Sequence, residues 1–171
     1  MMDYTKVPAN LINKYLWDLA KGTVSGSTKI SNDIFGVDVS TYDYVPFFPV
    51  SENAGVQADS GDKPFITYQS LPRLVNDSDF WLKRERMIYC IVAPLPNLIY
   101  ISNFILENTS KFDISASRVN KHIGDAAVIF DSITSYSVNL QAESTKFTSI
   151  EPRYEAEVIV DFDYRRSDSD S

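Results

Sequence analysis

The sequence predicts an α+β domain: an antiparallel or mixed sheet of about four strands, with an N-terminal helix and a central helix packed on it, plus a long extended arm or loop. Three observations predict it. Residues 80–112 alternate at period two and then change, across Pro94 and Pro96, to a helical period. Two further alternating stretches, 126–142 and 153–165, come late in the chain. A stripe of apolar residues at helical spacing runs through residues 8–21. The 171 residues suit a single domain over 1–166, and a chain of that length buries about 70% of its unfolded surface.

In residues 8–21 the stripe is Leu11, Ile12, Tyr15, Leu16 and Leu19, with Trp17 beside it. Lys21 and Gly22 end this helix, one as a cation in the last turn and the other as a C-cap. It docks either on its own sheet or on a neighbouring copy. Residues 22–63 form an insertion rich in Gly, Ser, Asp and Asn that also carries Tyr42, Tyr44, Phe47 and Phe48 between Pro46 and Pro49. Disorder does not account for such an aromatic knot, and long connections of this kind are often functional. Two readings follow: an arm that packs on a partner through these four aromatics, or a loop that packs on its own domain.

Residues 65–70 read as a short strand, and the turn Asn76-Asp77-Ser78-Asp79 joins it as a hairpin to the strand beginning near Phe80. In that strand Met87, Tyr89 and Ile91 share one face, and Ile88, Cys90 and Val92 share the other. The end near Arg84 should be wet on one face and the end near Ile91 covered on both. Proline stops the strand because it cannot donate to the ladder, and Pro96 suits the first turn of a helix over residues 97–110. Leu98, Ile101, Ile105 and Phe112 form the stripe of that helix, widened by Leu95, Ile99 and Leu106. Asp113 should cap a shorter helix over 114–123, closed by Gly124. The pattern of residues 126–142 shifts near Asp131, which predicts a bulge or two strands. Residues 153–165 alternate cleanly, as a strand with one buried and one wet face does. The acidic tail 167–171 should be disordered.

The net charge of −7 argues against a general nucleic-acid binder, which needs a basic face. A local cluster, Lys83, Arg84 and Arg86, reads as a solvated strand end or a small basic patch. The single cysteine, Cys90, excludes an internal disulfide and reads as a packed core thiol. The N-terminal residues lack a signal-peptide layout, and no apolar run approaches the ~20 residues of a membrane helix, so a cytosolic product is expected. His122, near the end of the small helix, reads as a surface residue. Asp161 and Asp163 point the same way from one strand. They could bind a divalent cation, act as paired carboxylates, face solvent, or meet a basic patch on a partner. The sequence carries no CxxC, HExxH, EF-hand, P-loop or Rossmann pattern, so no cofactor or metal is expected.

The segment KPFITYQSLP, the strand KRERMIYCIVA, the apolar helix after it and the closing RYEAEVIVDFDYRR resemble, in order and character, the tail terminator or tail completion proteins of long-tailed bacteriophages. The resemblance covers residues 63–166, with the first helix in its expected place. It implies an α+β subunit of a hexameric ring that caps the tail tube, stops its growth and docks on the neck. The implied partners are further copies, the tail tube protein, a neck or connector protein and, in contractile tails, the sheath. DNA would pass through the lumen without sequence-specific binding. The implied location is the virion, after synthesis in the host cytoplasm, with no catalysis and no membrane. The 22–63 arm is longer than in compact members and would clasp a neighbouring subunit, the sheath or the neck. Tyr42, Tyr44, Phe47, Phe48, Lys83, Arg84, Arg86, Asp161 and Asp163 are the interface candidates. Other readings are another head–tail connector or neck subunit, a non-viral ligand-binding α+β domain, and a small enzyme using Asp161, Asp163 or His122.

Overall fold

The sheet is built around β3 (Lys83–Pro94), which pairs antiparallel with β2 (Phe65–Pro72) on one side and β5 (Arg153–Arg166) on the other. The computed structural model describes residues 7–42, 45–49, 63–72, 82–124, 127–142 and 153–166. β1 (Phe47–Pro49) adds in parallel to β2, and β4 (Val128–Ala142) adds antiparallel to β5. The order is therefore β1-β2-β3-β5-β4, a mixed sheet of five strands. With four helices beside it, α1 (Pro8–Lys21), α2 (Asn32–Phe35), α3 (Leu95–Thr109) and α4 (Asp113–Ile123), the fold is α+β. The strand beyond the expected four is β1, which comes from the 22–63 insertion.

The period-two pattern decides which face the helices cover. Met87, Tyr89 and Ile91 sit opposite Val160, Val158 and Ala156 on β5, so all six side chains leave the sheet on the same side. They join the helices in one buried cluster. Leu98, Ile101 and Ile105 of α3 are fully buried there, and each such side chain contributes about 1.5–3 kcal/mol. Ile99 and Phe112 do not join them, being 50% and 60% exposed. Ile99 lies a third of a turn off the stripe, and Phe112 falls beyond the end of α3.

Helix α1 docks on its own sheet. Leu11, Ile12, Tyr15 and Leu16 of its stripe are buried and Leu19 is half-buried, and two amides reach down to two sheet tyrosines. Tyr68 Oη donates to Asn10 Oδ1 at 2.9 Å, and Tyr89 Oη donates to Asn13 Oδ1. Gly22 caps the helix in the left-handed region, as expected.

Helix α4 starts differently from expectation. Asp113 is its first residue, and the cap position belongs to Phe112, whose φ of 52° is costly for a residue with a Cβ. That turn lets the Phe112 carbonyl accept from Ile133 N at 3.2 Å, bridging onto β4. Asn120 holds the same edge: its side-chain amide donates to Phe130 O and accepts from Phe130 N, both at 2.8 Å. The pattern shift near Asp131 is a bulge between Phe130 and Ser132 within one continuous strand.

β3 is wet on both faces at its start, since Lys83 and Arg84 are exposed on opposite sides. Its end is covered on both, with Ile91 and Val92 buried. Cys90 is a correction: it is half-buried on the face away from the helices rather than packed in the core. It shares parity with Ile88 and Val92, and only the Val92 end of that face is covered.

Replacing Tyr89 with phenylalanine removes the donor that satisfies Asn13, a residue only 3% exposed. Urea unfolding should show a loss of about 1–3 kcal/mol, the cost of stranding a buried acceptor. The same change at exposed Tyr136 should lose less than about 0.5 kcal/mol.

Candidate functional site

The face of the sheet away from the helices brings four of the nine candidate residues together. The β3–β5 register sets Arg84 opposite Asp163 and Arg86 opposite Asp161. Arg86 grips Asp161 as a fork, Nε to Oδ1 at 2.9 Å and Nη2 to Oδ2 at 3.2 Å. Arg84 Nε lies 3.5 Å from Asp163 Oδ2. One strand further, Arg165 forks onto Asp131 at 2.9 and 2.8 Å. The basic cluster and the carboxylate pair, separate features of the sequence, thus meet one another across the sheet. Lys83 does not take part, because its parity puts it on the other face. Among the described residues no three His, Cys, Asp or Glu side chains gather as metal ligands.

Beside these charged rows runs an apolar one. Ile88 pairs with Ile159, and Ile159 with Tyr136, which is 43% exposed. Leu71, opposite Arg86, is 41% exposed at the margin. In the next row Cys90 Sγ lies 2.9 Å from Glu155 Oε1. The far end of the face is closed. Phe65 and Arg153 are buried there, with the guanidinium 5.9 Å from the ring centroid and donating to Lys63 O at 2.8 Å.

The aromatic insertion packs largely on its own domain. Phe47 is 5% exposed and lies in a chain of tilted rings that runs from Trp17 through Phe35 and Phe47 to Tyr89, at centroid distances of 5.5, 6.4 and 5.6 Å. Tyr42 closes on Trp17 at 6.2 Å. As a contact residue for a partner, Phe47 is therefore corrected: parallel pairing of β1 with β2 points it inward beside Ile66. Phe48 is half-buried on the opposite side of β1. Tyr44, residues 50–62 and the tail 167–171 lie outside the described residues.

His122 is anchored rather than free. Its Nε2 sits 2.7 Å from Asp18 Oδ2, and its ring lies 5.5 Å from Tyr15. Lys14 reaches the same Asp18 oxygen at 3.1 Å. On the core side, at the wet end of β3, Glu85 accepts from Tyr164 Oη at 2.8 Å and from Ser70 Oγ at 3.0 Å. Burial, then the hydrogen bond and charge of Glu85, push the Tyr164 phenol up to about 12.

One surface feature escaped the sequence reading. Phe112 and Ile114, 60% and 51% exposed, stand together at the start of α4. The local signal is the break Ser110-Lys111-Phe112-Asp113 between two helices, which ends the first helix before Phe112 can join its stripe. No protein-family model matches the chain, and no curated protein matches it.

Two predictions follow from this geometry. Phe47→Ser should lower unfolding stability by about 3–5 kcal/mol, as loss of a buried aromatic does, whereas Phe48→Ser should change it by under about 1.5 kcal/mol. The second concerns alkaline stability. A phenol whose pKa is raised by folding contributes stability in full below its unfolded value near 10, and that contribution fades as pH rises towards 12. Native protein should therefore lose stability between pH 10 and 12, and Tyr164→Phe should shallow that slope in chemical denaturation across the range.

Proposed function

We propose that this chain is a structural subunit of a long-tailed bacteriophage: a tail terminator that closes as a hexameric ring on the tail tube, ends its growth and joins it to the neck. The observation that carries the reading is the one-sided layering of the fold. Helices cover one face of the sheet and leave the other face to rows of mutually paired charges and an apolar row, Ile88, Ile159 and Tyr136.

A ring made of head-to-tail contacts needs two different patches on each subunit. The open sheet face supports one and the Phe112–Ile114 knob supports the other. A stable contact between them would bury roughly 800 Å² on each partner. Because its arginines are already paired with aspartates, those rows of the sheet face can be desolvated without leaving a lone guanidinium, provided the forks stay intact. The net charge of −7 suits a lumen through which DNA slides without sticking. In this reading the partners are other copies, the tube protein, the neck and, in a contractile tail, the sheath. The order of elements along the chain, which resembles that of tail terminators, gives the same reading independent support.

Negative-stain microscopy with mass photometry over a concentration series should show six-fold rings with a central hole, or capped tips once purified tail tubes are added. Ile159→Lys combined with Tyr136→Lys should abolish both while leaving the circular dichroism of the monomer unchanged. Monomers together with uncapped tips from the native chain would refute the reading.

A further inference from the structure

A cavity of about 750 Å³ opens between α1, the turn that follows it, α3 and α4. That is the volume of sites that take small organic ligands. One wall is apolar, formed by Leu19, Ile30 and Phe104. The other carries Arg118 and Lys121, three residues apart on one side of α4.

Arg118 is the exception among the described arginines, and Lys121 stands beside it. Arg84, Arg86 and Arg165 are each matched to an aspartate, Arg153 lies over Phe65, and Arg166 lies over Tyr164. Arg118 and Lys121 have no carboxylate partner among the described residues. In a chain of net charge −7, two adjacent uncompensated cations at one concavity are a local reversal of sign.

Tyr15 adds a third polar group. Its side chain is 3% exposed and lines the cavity, and its hydroxyl has no hydrogen-bond partner among the described residues. Burial raises its pKa and Arg118 opposes that rise, so at neutral pH the phenol keeps its proton and can donate it. His122 also lines the space, but its Nε2 is engaged by Asp18.

The rim is built rather than loose. Ile30 N donates to Ala20 O at 2.8 Å, and Ser27 donates to Val24 O through both its backbone N and its Oγ. A Cβ on Gly22 would come within 2.7 Å of Lys29 N, so the turn closes this tightly only over glycine.

We propose that this cavity binds a small organic anion: a carboxylate, sulfonate or phosphate attached to a flat apolar body. The anionic group lies between Arg118, Lys121 and the Tyr15 hydroxyl, and the apolar body rests on Leu19, Ile30 and Phe104. The site is independent of the ring reading and would persist in a subunit that never assembles.

Two fluorescent probes of one shape test it: 8-anilinonaphthalene-1-sulfonate, and its uncharged analogue N-phenyl-1-naphthylamine. The native chain should bind the sulfonate at one site, roughly tenfold or more tighter than the neutral probe, and about 0.5 M salt should narrow that gap. Arg118→Gln with Lys121→Gln should remove the preference and leave neutral-probe binding and the thermal midpoint unchanged, since both residues are exposed. Leu19→Trp, which fills the apolar wall, should weaken both probes. Equal affinity for the two probes, an unaltered preference in the double variant, or no sulfonate binding at all would each overturn the proposal.

Discussion

The fold depends on the junction between β3 and α3. Pro94 is still paired with Arg153 as the last residue of the strand, and Leu95 is already the first residue of the helix. With no loop between them, α3 has little freedom in direction. It turns back over the strand it has just left, and Leu98, Ile101 and Ile105 fall on the side chains of β3 and β5. Once that face is taken, α1 and α4 complete the same layer, and Tyr89 finds Asn13 beneath α1. No described helix crosses to the other side, so the second face of β3 and β5 is left to Arg84, Arg86, Asp161 and Asp163. The sidedness of the whole molecule thus traces to a strand and a helix that share a boundary.

Much of this was legible because each element carries its own period. β5 alternates without a fault, and α1 keeps its stripe from Leu11 to Leu19, so one-dimensional patterns were enough. What could not be read were the relations between distant segments. Arg86 and Asp161 are 75 residues apart, and only the β3–β5 register shows that the basic cluster and the carboxylate pair are each other's counter-ions. Cys90 looked like core because its neighbours are apolar, but coverage of its face depends on layers that lie elsewhere in the chain. Phe47 could be read either as a partner-facing aromatic on an arm or as part of a loop packed on its own domain, because a three-residue parallel strand has no local signature. The cavity was invisible for the same reason: its walls come from α1, α3, α4 and a turn, and an unpaired cation is recognisable only once every other partner has been placed.

The two charged regions behave as opposites. On the sheet face, guanidinium and carboxylate groups are neighbours along hydrogen-bonded rows, so the field they present cancels over a few ångströms. Such a face distinguishes partners by shape and apolar contact more than by net charge. At the cavity, Arg118 and Lys121 lack that compensation, and their field extends into a concave space. Arg118 and Lys121 thus set two cations, unpaired among the described residues, side by side in one concave place, whereas Arg84, Arg86 and Arg165 of the sheet face are each matched to an aspartate.

β4 carries a consequence for how the chain avoids uncontrolled self-association. A long outer strand is a template on which fibrils can nucleate, each incoming chain offering the next one an identical border. Here Asn120 occupies the backbone groups of Phe130, and Phe112 occupies the amide of Ile133. The first part of the strand is blocked, so an incoming chain can align only along the remainder, and a slipped alignment meets a side-chain amide where it needs main-chain partners. Edge-to-edge stacking along that part of the strand is disfavoured. The strained backbone at Phe112 can thus be understood as the cost of a stop built into the template.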